Sequence, residues 1–174
     1  MSRSAEPSPA IVNLVDVSEA VLEQLLSVAV QDADADEVTP PVGVASGWNS
    51  ERISWFREYH HDAAGLDGPT QQKSWAISSG GELAGSIRLK RTGAGTLETG
   101  IWLGRSFRGN GIARKALRLV MDRAAESGAA VLEAETTAGN AAALVLLRSA
   151  GATFEHGDGG GEATLPVRAR ISLR

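Results

Sequence analysis

From Ile11 to Val17 apolar and polar residues alternate loosely, and this favours β structure. Ser18 then stands as an N-cap before an apolar-periodic run from Val21 to Val30, so a helix follows the strand. Asp32 to Pro41 carries Asp32, Asp34, Asp36 and Glu37 and ends on two prolines, a composition that stops a helix and reads as a solvated loop. Ile53, Trp55, Phe56 and Tyr59 recur at helical spacing between charged residues, which predicts a second helix from Asn49 or Ser50 to Asp62. Lys73 to Ser79, Glu82 to Arg91 and Thr96 to Leu103 are rich in β-favouring residues. They are separated by Gly80-Gly81 and by Thr92 to Gly95, which predicts three consecutive antiparallel strands.

Gly111 to Ser127 returns to the helical period, with Ala116, Leu117, Val120 and Ala124 on one stripe and Gly128 as the stop. Ala130 to Thr136 reads as a buried strand. Asn140 caps a short helix in which Leu144, Leu147 and Ala150 share a face, and Gly151 ends it. Thr153 to His156 and Leu165 to Leu173 close the chain as strands. Between them Gly157 to Gly161 holds four glycines in five residues and is expected to be a mobile hairpin loop. The alternation of strands and helices predicts an α+β fold, a mixed sheet with helices on its faces.

At 174 residues, without internal repeat or composition break, residues 10–174 are expected to form one domain behind a tail at 1–9. With 43% hydrophobic and 22% charged residues the chain is too apolar to be disordered. A net charge of -4 argues against a nucleic-acid partner. The absence of cysteine removes disulfides, thiolate metal sites and nucleophilic thiol chemistry. The polar start, Met1 to Pro9, is unlike a signal peptide and no later segment approaches a membrane span, so the expectation is a cytoplasmic protein with no membrane partner.

The segment Arg105 to Ala113 lies between a predicted strand and a predicted helix. Gly109 and Gly111 let the main chain turn and bring its N–H groups close to a ligand, and the following helix aims its positive dipole end at the same space. Arg108 adds a full charge at the rim, a combination suited to pyrophosphate. Asn110-Gly111 also fits a plain tight turn. No Gly-Lys-Ser/Thr follows, as a P-loop needs, and the third glycine of a dinucleotide fingerprint is missing.

Arg108-Gly109-Asn110-Gly111-Ile112-Ala113 resembles the Arg/Gln-x-x-Gly-x-Gly/Ala signature of the GNAT acetyltransferase superfamily. Glu98 to Leu103 is similar to the strand that precedes that loop, and Glu133 to Asn140, with its helix and Gly151-Ala152, to the downstream motif. The resemblance covers Lys73 to Phe154 closely and leans toward the ribosomal-protein N-terminal acetyltransferases, the RimJ/RimL-type branch. It implies a mostly antiparallel sheet of about seven strands flanked by about four helices. It also implies acetyl-CoA as co-substrate with no metal, an amine acceptor, and a homodimer as one arrangement. The main chain at Ile101, Trp102 and Leu103 would hold the pantetheine arm and acetyl oxygen. The N–H groups of Arg108, Gly109, Asn110, Gly111, Ile112 and Ala113 would hold the pyrophosphate, and Asn140 would bond the arm near the sulfur.

Leu147 falls in the same cofactor site, where many members carry the tyrosine that protonates the thiolate. Ala143 offers no hydroxyl either, and the one tyrosine, Tyr59, is remote in sequence, so the general acid is unassigned. Thioester aminolysis also needs a base, for which Glu98 is the candidate, with an ion pair across the sheet as its alternative role. Glu133 and Glu135 share one face of the neighbouring strand and rank below Glu98 as bases, since either could equally be an ion-pair partner. His60 and His61 diverge by about 100° on a helix and cannot share one metal ion. Both read as surface residues, or one as a wall of the amine pocket. The four tryptophans read as core or pocket wall. The acceptor is expected to be a small-molecule amine, with a protein N-terminus as the alternative, and an acyl-CoA-binding module without turnover as a third reading.

Overall fold

A computed structural model describes residues 10–44, 46–156 and 163–173. The chain opens with β1 (Val12–Asp16) and α1 (Glu19–Asp32), whose first turn is closed by the Ser18 side chain accepting from the Val21 N–H at 3.2 Å. Leu22, Leu25, Leu26 and Ala29 form the buried stripe of α1. The expected loop after it contains a short helix, α2 (Ala35–Val38). Asp36 and Glu37 favour its N-terminal dipole end, and the Thr39 hydroxyl donates back to the Ala35 carbonyl at 3.1 Å. α3 (Ser50–Asp62) is capped by Asn49, which accepts from the Arg52 N–H at 2.9 Å.

β2 (Ala64–Gly65), β3 (Gln72–Ser79), β4 (Glu82–Gly93) and β5 (Thr96–Leu103) follow. A 3-10 turn at Arg105–Phe107 leads to α4 (Ile112–Glu126), β6 (Val131–Thr137), α5 (Ala141–Ser149), β7 (Thr153–His156) and β8 (Pro166–Ser172). The sheet has 8 strands in the order β1-β3-β4-β5-β6-β8-β7, with β2 on the side of β3. The two-residue β2 has no periodicity from which to be read. Residues 1–9 and the expected loop at 157–161 lie outside the described residues.

One face of the sheet packs Ala76 against α1 and Phe56 of α3. The other packs Ile87, Leu89, Leu97, Leu132 and Ile171 against Ala116, Leu117 and Val120 of α4 and Leu147 of α5. Among the described residues no helix is long and apolar enough to cross a membrane.

All neighbours are antiparallel except β5 and β6, which run parallel and pair only from Thr96↔Val131 to Thr99↔Ala134. Beyond that point β5 stays with β4 as far as Leu103, while β6 stays with β8 as far as Thr137. The sheet therefore opens into a wedge, and both strands run out at its mouth. There β5 leads to the loop before α4, and β6 leads to Asn140.

Candidate active site

At the mouth of the wedge Gly109 and Gly111 take left-handed φ angles of 80° and 77°, the conformation that side chains resist. Among the described residues, the N–H groups of Gly109 to Ala113 donate to no protein acceptor, and no side chain caps α4. These are the orphan donors of a helix start, and Gly109, Asn110 and Gly111 are exposed. The first turn of α4 has no acidic residue and instead carries Arg114 and Lys115, cations where the dipole opposes them. An anion at this place resolves both the open donors and the misplaced charge.

The acidic stretch read as a solvated loop clamps this turn. The Asp32 carboxylate accepts from the Ser106 N–H at 3.1 Å and from its hydroxyl, contacts that lower its pKa. Gly104 leaves the space, since a Cβ there would sit 2.6 Å from Asp32 Oδ2. Asp34 pairs with Arg105 at 2.6 Å and Glu37 with Arg108 at 2.6 Å. Arg108 is therefore not a free charge at the rim. Its guanidinium donates to the Leu103 carbonyl at 3.2 and 3.0 Å, just past the point where β5 parts from β6, and its own N–H goes to Arg105.

Ile101 and Trp102, with Gly100, border a groove of about 510 Å³ whose other walls include Glu37, Trp55, Tyr59, His60, Arg88 and Lys90. Leu103, by contrast, has its side chain in the core. Two strand glycines shape this end of β5. Gly85 presses β4 so close that an added Cβ would lie 2.0 Å from the Trp102 carbonyl oxygen. Gly100 lets the Arg88 guanidinium lie across it, 3.1 Å from where its Cβ would be.

Arg88 Nη2 donates to Glu98 Oε1 at 2.9 Å, so the candidate base has the cross-sheet ion pair that was its alternative role. Glu98 Oε2 has no donor among the described residues, and the side chain keeps 25% exposure. Tyr59, remote in sequence, is brought beside Arg88 and stacks on Trp55 at 5.0 Å. Burial is the main cause that raises its hydroxyl pKa, so it stays protonated at neutral pH; among the described residues the hydroxyl has no hydrogen-bond partner, nor has Arg88 Nη1.

His60 is not a surface residue. It is 5% exposed, its Nδ1 lies 2.8 Å from the Ser74 hydroxyl, and burial pushes its pKa from 6.5 down to about 4. His61 is exposed and meets Glu19 at 3.3 Å. Glu133 and Glu135 are ion-pair partners of Arg168, at 3.5 and 2.7 Å. Asn140 caps α5 through Oδ1, which accepts from the Ala143 N–H at 3.1 Å, leaving Nδ2 without a protein partner among the described residues. Leu147 is 5% exposed and packs in the core beneath α4. A larger hollow of about 800 Å³, between α1 and the β3–β4 turn, holds none of the expected site residues.

Tyr59, Arg88, Ser74 and the acidic clamp were missed from sequence. Glycines inside strands, Gly85 and Gly100, were the one available sign of close approach.

A profile of the acetyltransferase (GNAT) domain matches residues 13–153, and the chain belongs to that family of acetyl-CoA-dependent N-acetyltransferases. Solved structures agree on the fold. Mycobacterium smegmatis RimJ in complex with a CoA disulfide is 19% identical, with a TM-score of 0.74 over 95% of this chain and 86% of that one. The Salmonella typhimurium acetyltransferase that modifies the N-terminal serine of ribosomal protein L7/L12 is 18% identical, with 0.70 over 94% and 95%. The putative acetyltransferase yncA of Salmonella typhimurium, solved with acetyl-CoA, is 17% identical, with 0.64 over 96% and 95%. No curated protein sequence matches the chain.

Proposed function

We propose that this cytoplasmic, single-domain protein transfers the acetyl group of acetyl-CoA to the primary amine of a small molecule, in a ternary complex without a covalent enzyme intermediate. One observation carries the reading: the uncapped amides of Gly109 to Ala113 open beside the end of β5 that has left β6. The structural neighbours solved with CoA and acetyl-CoA support the same donor.

In this reading those amides bind the pyrophosphate, Asn140 Nδ2 and the main chain at Ile101 to Leu103 hold the pantetheine arm, and Leu147 backs the arm from the core. Acetyl-CoA supplies an activated acyl carbon with a thiolate leaving group. Glu98, through Oε2 or one water, takes a proton from the acceptor ammonium. The freed nitrogen bonds to the acyl carbon as the C–S bond breaks and its electron pair leaves with sulfur; the products are an amide, CoA and one proton. Tyr59 supplies a hydroxyl proton in the groove where Leu147 supplies none.

A second reading, acetylation of a protein N-terminus, is favoured by the neighbour that modifies a ribosomal protein. The test is release of free CoA thiol from acetyl-CoA over a panel of amines and short peptides. Turnover with an amine is the expected result; tight binding of acetyl-CoA with no turnover on any acceptor refutes the enzyme reading.

A further inference from the structure

The floor of the acceptor groove carries more positive charge than the chain neutralises. Arg88 and Lys90 alternate along β4 and so share a face, with Gly100 opposite the first and Glu98 opposite the second. Farther along that face, Glu133 lies beside Glu98 on β6, and Arg168 and Arg170 stand on β8. Glu133 is taken by Arg168 at 3.5 Å and Arg170 at 3.8 Å, and Glu135 by Arg168 at 2.7 Å. Glu98 gives one oxygen to Arg88. Glu37, the acid that lines the groove itself, is held by Arg108. Among the described residues Lys90 has no ion-pair partner, although Glu98 stands opposite it, and Arg88 Nη1 is buried with no hydrogen-bond partner.

A cationic acceptor, such as a polyamine or an aminoglycoside, would meet this surplus charge unfavourably. An acceptor that brings its own anion would complete it. Glu98 is bonded to Arg88 and stands opposite Lys90 in the strand register, so the amine and the anion of the acceptor must be close together as well. The remaining wall is aromatic, with Trp55, Tyr59 and Trp102, and the groove of about 510 Å³ lies within the range that encloses small molecules.

Building on the acetyltransferase reading, we infer that the acceptor is a free α-amino acid: its ammonium meets Glu98, its carboxylate lies between Arg88 and Lys90, and an apolar or aromatic side chain rests on Trp55, Tyr59 and Trp102. A peptide N-terminus has no carboxylate next to its amine and leaves Lys90 unanswered.

CoA release by the full chain is measured with L-phenylalanine and L-methionine, with their amides, and with short peptides that begin with the same residues. The free acids are expected to exceed amides and peptides in kcat/KM by about tenfold or more, the usual advantage of charged over neutral hydrogen bonding. Lys90→Gln, an exposed position, is expected to raise KM about tenfold more for the acids than for the amides. Amides or peptides used as well as the acids overturn the inference while leaving the acetyltransferase intact. An equal effect of Lys90→Gln on acid and amide overturns it too. Binding of acetyl-CoA without CoA release from any amine refutes the acetyltransferase reading, and the inference falls with it.

Discussion

Lowering the pH from 7 to 5 will destabilise this protein through His60. The folded imidazole, 5% exposed against Phe56 and Ser74, stays neutral until about pH 4, whereas the unfolded side chain takes its proton near 6.5. Between those values the unfolded state binds more protons, so stability falls as the pH falls. The loss begins near pH 6.5 and is complete below about 4, where it reaches about 3 kcal/mol at ~1.4 kcal/mol per unit. At pH 5 it is about 2 kcal/mol, which lowers Tm by about 4–8 °C in a domain of this size. Tryptophan fluorescence or calorimetry at pH 7, 6 and 5 measures it, with His60→Asn as the comparison. Asparagine keeps a polar group near Ser74 and does not titrate, and its packing cost is the same at every pH. Between pH 7 and 5 wild type is expected to lose about 2 kcal/mol more than the variant. Equal losses in the two proteins would refute the assignment of a neutral buried histidine.

Four further outcomes follow from the site. Gly85→Ala places a methyl group 2.0 Å from the Trp102 carbonyl oxygen, and chemical denaturation should show a loss of at least ~1–3 kcal/mol as β4 and β5 are forced apart. Gly111→Val, at φ 77°, should weaken acetyl-CoA binding in calorimetric titration far more than Gly111→Asn, because asparagine tolerates that conformation; equal affinities would argue against amide recognition at this turn. Glu98→Gln should reduce kcat by ~10²–10⁴ with acetyl-CoA affinity nearly unchanged, and an unaltered pH-rate profile would remove Glu98 from the base role. Tyr59→Phe removes a buried hydroxyl that has no partner among the described residues, so stability should hold while the rate falls; an unchanged rate would leave the proton source to water.

The order of elements was legible because each signal is local. Ser18, Asn49 and Asn140 cap helices with their own side chains, and Gly109 and Gly111 adopt the left-handed angles that their turn needs. The burial stripe of α4 follows from its helical period. The short β2 and α2 were not legible, since two and four residues carry no period. His60 was read as a surface residue or a wall of the amine pocket, and its burial was not legible because a helix wheel cannot tell which way a polar residue turns when a sheet carrying Ser74 lies beneath it. The acidic stretch at 32–37 was read as solvated because its partners, Arg105, Ser106 and Arg108, lie about 70 residues onward.

What the sequence by itself carried is the family resemblance, the glycine turn before α4 and the residues proposed for the site, all properties of residues near one another along the chain. Only the tertiary structure decided that β5 parts from β6 after Thr99, that Arg108 serves Leu103 and Glu37, and that Tyr59 and Arg88 line one groove. Caps and turns are decided by dihedral preferences a few residues long. Charge pairing and exposure depend on which strands lie side by side and in what register, and that is settled by burial of the whole sheet between its two helical layers.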